Sequence, residues 1–318
     1  MDYSFIDRNG VTGENLNELT ESACALYEER VCEIALLAAR AVTYVKQLLD
    51  ADMSISDAIT ALKEEGALFS ELGKVEAPDC TRESLNSFAR DLSCNDKILF
   101  SQFLCDAIRK CGIELDESDM LPCETLGEKF TYVKNTLSDE AYDVFSQEFE
   151  DPRIVYSQNV RDALKSVAEE SCDYCIVPFE ENGGARILGI YAQIVSLDLK
   201  VAAVTPVFGP EGDADVKYAL VGREFVTFEK SNDDDVYVEV AIPTESVFTV
   251  SDLLFTAGKI GLSVYRIGTV EYDESDASRA RSVYVSLKSS GKDIVPLLAF
   301  LEMFVDDFST IGLYKNIE

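Results

Sequence analysis

Val236-Tyr-Val-Glu-Val-Ala-Ile242, followed by Thr249-Val-Ser-Asp-Leu-Leu-Phe-Thr-Ala-Gly-Lys-Ile-Gly261, decides the fold class of the C-terminal third of the chain. The first stretch alternates apolar and polar residues with the period of a strand. The second carries the three-and-four spacing of a helix, with Thr249 or Ser251 as its cap and Gly261 as its stop. Beyond it, Ser263 to Tyr272 and Ser282 to Leu287 alternate again as two strands, joined by the polar turn Asp273 to Ala277. Lys292 to Phe304 reads as a helix and Ser309 to Lys315 as a last strand. The order βαββαβ is the split βαβ, ferredoxin-like arrangement. The charged turn Ser231-Asn-Asp-Asp-Asp235 precedes it, so this domain is expected to span 233–318.

Upstream, over 123–232, strands and helices alternate. Phe130 to Val133, Ile154 to Tyr156, Tyr174 to Val177, Lys200 to Pro206 and Lys217 to Val221 read as strands, the third ended by Pro178. Ser138 to Phe149, Asn159 to Glu170 and Ala185 to Leu197 read as helices. Such alternation implies a mostly parallel sheet covered on both faces. Acidic, turn-like residues from Glu114 to Glu124, with Pro122, separate this segment from a helical front over 1–122. There Leu16, Leu19, Ala23 and Leu26 begin an apolar stripe that runs to Leu49. Ser54 caps a second helix, Thr81 to Ser84 opens a third, and Ile98 to Cys111 forms a fourth, which together make a bundle. The expected fold is therefore multidomain, α plus α/β.

Composition narrows the function. The 318 residues are 47% hydrophobic, enough for two or three cores, and the net charge is −31. With 28 Lys+Arg against 59 Asp+Glu, binding to nucleic acid or to an anionic membrane is not expected. Nor does any apolar run reach bilayer-spanning length. Met1 to Gly10 lacks the apolar core of a signal peptide, and nine irregularly spaced cysteines fit reduced thiols in a cytoplasm. There is no histidine, which excludes Ser-His-Asp and Cys-His nucleophiles and histidine-bearing zinc sites. Chemistry would have to rest on carboxylates, Lys, Tyr, Cys or electrostatics alone, and no cofactor or metal is expected.

Asp173-Tyr-Cys-Ile-Val-Pro-Phe-Glu-Glu-Asn182, followed by Gly183 and Gly184, resembles the signature segment of prephenate dehydratases, which reads Asp-Tyr-Gly-Val-Val-Pro-Ile-Glu-Asn-Ser. Phe130 to Val133 with Ser138-Asp-Glu-Ala141 is similar to the family's opening strand and helix start. The βαββαβ segment, closing on Ile311-Gly-Leu-Tyr314, resembles the family's ACT domain. The resemblance covers about 130–318 and implies a three-layer α/β domain of the periplasmic-binding-protein type with a C-terminal regulatory domain. By this match, Glu180, Glu181, Asn182, Gly183, Gly184, Lys217 and Tyr218 are the substrate-binding candidates. The ACT ligand pocket falls on Phe248, Thr249, Val250, Gly268 and Thr269.

The departures redirect the functional expectation. Glu181 takes the family's Asn position and Asn182 its Ser position, and the catalytic Thr-Arg-Phe becomes Lys217-Tyr218-Ala219. Between the strand at Lys200 and the one at Lys217 the family inserts a second lobe, where this chain has only Gly209 to Asp215. A dicarboxylate needs cations and excluded water around it, and an acidic Glu180–Glu181 pair facing no opposite wall supplies neither. Phe248 stands where the family has a glycine that admits the ligand, so the pocket is either plugged or retuned. A prephenate-dehydratase-related protein without dehydratase activity is expected, acting as a binding or regulatory homodimer joined through its ACT domains. A small aromatic metabolite or amino acid is its expected ligand.

The helical front occupies the place of chorismate mutase in bifunctional relatives, and Glu29-Arg30 resembles part of a mutase first helix. Arg30, Arg40, Lys46 and Arg82 are the candidate cations for that rearrangement; a bundle with solvated charges is the plainer reading. Cys172-x-x-Cys175 has metal-ligand spacing but no second pair nearby, so buried structural thiols are the plainer reading.

Overall fold

A computed structural model describes residues 13–62, 92–121, 127–181, 184–208, 214–226, 235–273 and 279–317. The chain divides into two compact units, 1–115 and 116–318. In the first, α1 (Gly13–Leu49) presents Ile34, Leu37, Ala38, Ala41, Val42 and Val45 as one buried stripe. That stripe packs on α3 (Cys94–Lys110), which buries Ile98, Phe100, Leu104 and Ile108. Between them, α2 (Ile55–Thr60) is capped by Ser54, as its sequence predicts. A capping box starts α3: Ser93 and Asp96 satisfy each other's backbone N–H groups. The third helical start, Thr81 to Ser84, lies outside the described residues.

The second unit opens with the short helix α4 (Glu117–Met120) and is a mixed α/β fold built on one nine-stranded sheet. Its elements run β1 (Lys129–Tyr132), α5 (Thr136–Phe145), β2 (Arg153–Tyr156), α6 (Val160–Ala168), β3 (Tyr174–Glu181), α7 (Leu188–Ser196), β4 (Lys200–Phe208), β5 (Ala214–Gly222). They continue as β6 (Val236–Pro243), α8 (Val250–Ile260), β7 (Ser263–Asp273), β8 (Arg279–Lys288), α9 (Val295–Phe304), β9 (Ser309–Lys315). The strand order is β2-β1-β3-β5-β4-β9-β6-β8-β7. The last four strands with α8 and α9 have the βαββαβ order read from the sequence. Thr249 caps α8 in a capping box with Asp252, and Gly261 closes that helix at φ 95°, a conformation glycine adopts without strain.

Two details differ from the sequence reading. β2–β1 and β1–β3 pair parallel, but β5 runs antiparallel between β3 and β4, so the sheet over 123–232 is mixed. The reason is connection length. Phe208 pairs with Ala214, and a link this short returns the chain only as an antiparallel neighbour, whereas a parallel return needs a crossover of a dozen residues or more. Pro178 does not end β3 either. The strand continues to Glu181 through a register shift between Pro178 and Glu180, where an absent proline N–H is tolerated.

The β1–β5 part and the βαββαβ part share one sheet, joined where β4 runs parallel to β9. Val201 lies opposite Gly312, and the Ile317 amide donates to the Val204 carbonyl at 2.8 Å. A continuous core on one face crosses this seam. It runs from Ala163, Leu164 and Val167 of α6 and Tyr191 and Ile194 of α7 to Tyr237, Tyr284 and Tyr314. Phe130, Tyr132, Phe145 and Phe149 with Leu220 form the core against α5. Among the described residues no helix is long and apolar enough to cross a membrane.

Candidate functional site at the strand seam

After Glu181 the chain reverses sharply. Glu181 N–H donates to the Ala185 carbonyl at 2.9 Å, Ile187 N–H to Phe179 at 3.1 Å, and Gly184 adopts φ 83°. The reversal lays Arg186 back beside Glu180 as an antiparallel bridge. It also drives the Arg186 guanidinium, 1% exposed, into the seam over the face of Phe179 at 3.6 Å.

There Arg186 meets carboxylates from both parts of the sheet. One nitrogen donates to Glu180 Oε1 at 2.5 Å, and the other donates to Glu239 and to the Tyr314 hydroxyl, the latter at 2.8 Å. Glu239 lies in the middle of β6 and also accepts from Ser286 of β8 and from Tyr314 of β9. Arg266 of β7 donates to Glu180 Oε1 at 3.0 Å, and the Lys217 amine of β5 stands 3.6 Å from Oε2. Strands β3, β5, β6, β7, β8 and β9 thus each send one side chain to a single cluster. Its charged members are two carboxylates and three cations.

Such a group is stable when every member is matched, because an unmatched buried charge is costly in low dielectric. Burial works against the Arg186 charge, and Glu239, Tyr314 and Glu180 more than offset it, holding its pKa above the ordinary arginine value. Burial first, and the Glu239 charge second, push the Tyr191 and Tyr314 phenols well above the ordinary tyrosine value, so both stay protonated, and Tyr314 donates to Glu239. With Arg186 held charged and the two phenols held protonated, these members give the cluster polarity and position.

The candidates read from the sequence are dispersed around this cluster. Glu180 is inside it, while Glu181 is exposed, so the two do not form one acidic wall. Asn182 and Gly183 lie outside the described residues. Lys217 pairs across from Glu180, but Tyr218 is buried in the core on the other face, its hydroxyl beside Asn135 and Ser138 at the start of α5. Phe248 is half-buried with its ring 6.0 Å from Phe300, Thr249 caps α8, and Val250 is the first helical residue. Gly268 sits opposite Tyr284, whose ring occupies the space a Cβ would take, and Thr269 is exposed.

In the helical unit Arg30 donates to Asp96 at 3.1 Å and to Glu33 at 3.4 Å, which ties it to the cap of α3. Lys46 is exposed and sixteen residues further along the same helix, about 24 Å at 1.5 Å per residue, too far to share a small dicarboxylate with Arg30. The side chain of Arg40 and all of Arg82 lie outside the described residues. Cys172 and Cys175 are free and buried, and among the described residues no group of three or more His, Cys, Asp or Glu is arranged to hold a metal.

Glu239, Arg186, Arg266, Ser286 and Tyr314 were not singled out from sequence. Glu239, the charged residue of the Val236–Pro243 strand, is the signal the sequence offers, since an acid at a buried strand position requires a cation.

No protein-family model and no curated protein sequence matches this chain. Among solved structures it is similar to the prephenate dehydratase of Streptococcus mutans, with 13% identity and a TM-score of 0.45 over 60% of this chain and 100% of that one. It is also similar to the prephenate dehydratase of Arthrobacter aurescens in complex with L-Phe, with 14% identity and a TM-score of 0.41 over 58% and 89%. A third similar structure is GqqA, described as a novel type of quorum quenching acylase, with 12% identity and a TM-score of 0.40 over 59% and 93%.

Proposed function

We propose that this chain is a cytoplasmic, prephenate-dehydratase-related protein of aromatic amino-acid metabolism that does not dehydrate prephenate and acts as a binding or regulatory protein. The observation that carries the reading is the direct pairing of β4 with β5. With Phe208 opposite Ala214, residues 209–213 are all that stand where the resembled family inserts its second lobe. A one-walled site neither encloses a dicarboxylate nor excludes water. Glu180, which matches the signature glutamate, is committed to Arg186, Arg266 and Lys217.

The domain plan of this reading is a helical front over 1–122, a one-lobed three-layer domain over 123–232, and an ACT domain over 233–318. The strand order β9-β6-β8-β7 supports the last of these. Phe248 against Phe300 supports a plugged ligand pocket. Strand β7 is an edge of the sheet and exposes Val264 and Ile267, at 47% and 48%, with Phe255 of α8 also exposed. An uncovered apolar edge invites strand pairing with a second copy, which is the homodimer this reading requires.

The test is direct. Purified protein is expected to give no phenylpyruvate from prephenate while showing a thermal shift with one of prephenate, chorismate or the aromatic amino acids, since a ligand of the native state raises its stability. Turnover of prephenate overturns the proposal. Sedimentation should show a dimer that Ile267→Asp dissociates.

A further inference from the structure

The cluster at the seam has one positive charge more than it uses. Among the described residues it holds three cations, Arg186, Arg266 and Lys217, against two carboxylates, Glu180 and Glu239, and Lys217 is the cation most loosely held. Its amine is 3.6 Å from Glu180 Oε2, beyond hydrogen-bond reach, and its side chain is 28% exposed, so this cation forms the solvent-facing rim of the network. Nearby Lys288 is spoken for by Asp235 at 2.6 Å. In a chain of net charge −31, a local cationic rim is a place where an anion is concentrated against the general field.

An aromatic platform adjoins it. The Tyr265 ring is 40% exposed, with the Arg266 guanidinium 5.3 Å and the Lys217 amine 6.0 Å from its centroid. Tyr237 meets Tyr265 edge-on at 4.9 Å and itself stacks on Tyr314, whose hydroxyl is inside the cluster. The exposed ring is therefore held at the end of a row of rings anchored in the buried network. Gly184 lies beside the Arg266 guanidinium: a Cβ built there would stand 3.4 Å from Arg266 Nη2.

We infer that this corner, formed by Lys217, Tyr265 and Arg266, is a binding site for a small aromatic monocarboxylate. The carboxylate sits on the Lys217 amine and the ring lies on Tyr265. One surplus charge matches one carboxylate, and the ring platform distinguishes an aromatic acid from a bare anion. A cationic ligand would face Lys217 and Arg266 together. The inference rests on these residues alone and stands independently of the proposed role in aromatic amino-acid metabolism.

Isothermal titration of the full chain tests it with phenylacetate, acetate, inorganic phosphate and benzylamine. Phenylacetate is expected to bind, acetate and phosphate at least about tenfold more weakly, and benzylamine not at all. Lys217→Met and Tyr265→Ser should each weaken phenylacetate about tenfold, while Lys217→Arg retains binding. Circular dichroism of each variant checks that it is folded, and if Lys217→Met is not, Tyr265→Ser and Lys217→Arg decide. Absence of phenylacetate binding overturns the inference. So does equal binding of acetate or phosphate, or undiminished binding in folded Lys217→Met or Tyr265→Ser.

Discussion

Replacing Arg186 by methionine keeps roughly the length of the side chain and removes its charge. The structure sets the size of the loss. Two ion pairs, to Glu180 and Glu239, disappear with the hydrogen bond to Tyr314 and the cation over Phe179. Glu180 keeps Arg266 and Lys217, so the damage falls mainly on Glu239, whose side chain is 0% exposed and retains only the Ser286 and Tyr314 hydroxyls. Breaking a buried pair by deleting one partner costs about 3–5 kcal/mol. For a unit of this size, each kcal/mol lowers the melting temperature by about 2–4 °C, so a fall of roughly 6–20 °C is expected. Thermal and urea unfolding followed by circular dichroism measure it. Adding Glu239→Gln to Arg186→Met should restore a large part of the loss, because it removes the stranded charge. A single variant that melts within about 2 °C of the parent refutes the reasoning. A double variant whose losses simply add does so too.

Gly268→Ala forces a Cβ into the Tyr284 ring and should cost about 1–3 kcal/mol in urea unfolding; an unchanged midpoint contradicts the packing described. Hydrogen bonds from Thr249 hold the Asp252 carboxyl below the usual carboxylate range, so it adds stability above that range that is lost as pH falls through its lowered value. Asp252→Asn should therefore flatten the acid limb of the stability profile, and an unaltered limb counts against the capping box. Burial raises the Cys172 and Cys175 thiols, whereas Cys24, Cys32 and Cys111 are exposed. A thiol reagent with peptide mapping should label those three in the native protein and Cys172 and Cys175 only on unfolding, and fast native labelling of Cys175 would be incompatible with its burial.

What the sequence revealed depended on whether the cause was local. The bounds of Ser309–Lys315 are legible in the sequence, and so is the cap of α8 to within Thr249 or Ser251, because alternation and capping are written in neighbouring residues. The mixed character of the sheet was missed because it depends on which strands become neighbours. Alternating strands and helices imply crossovers, and the short return from Phe208 to Ala214 breaks that rule. Pro178 reads as a stop in the sequence because the shift that accommodates it exists only when β5 is alongside. The cluster was the least legible feature, since its residues are spread from Glu180 to Tyr314. Arg186 on its own looks like any surface arginine. Only the reversal at Gly184 turns it inward.

The place of β9 in the sheet bears on how the protein is made. It is translated after the other eight strands, yet it lies inside the sheet, between β4 and β6. Until it is delivered from the ribosome, β4 and β6 each present an open edge, and the Arg186 cluster lacks Tyr314. During that interval the nascent chain carries two exposed, apolar strand edges, the kind of surface that aggregates or recruits a chaperone. Arrival of β9 closes both edges in one step, making its insertion the natural commitment point of synthesis.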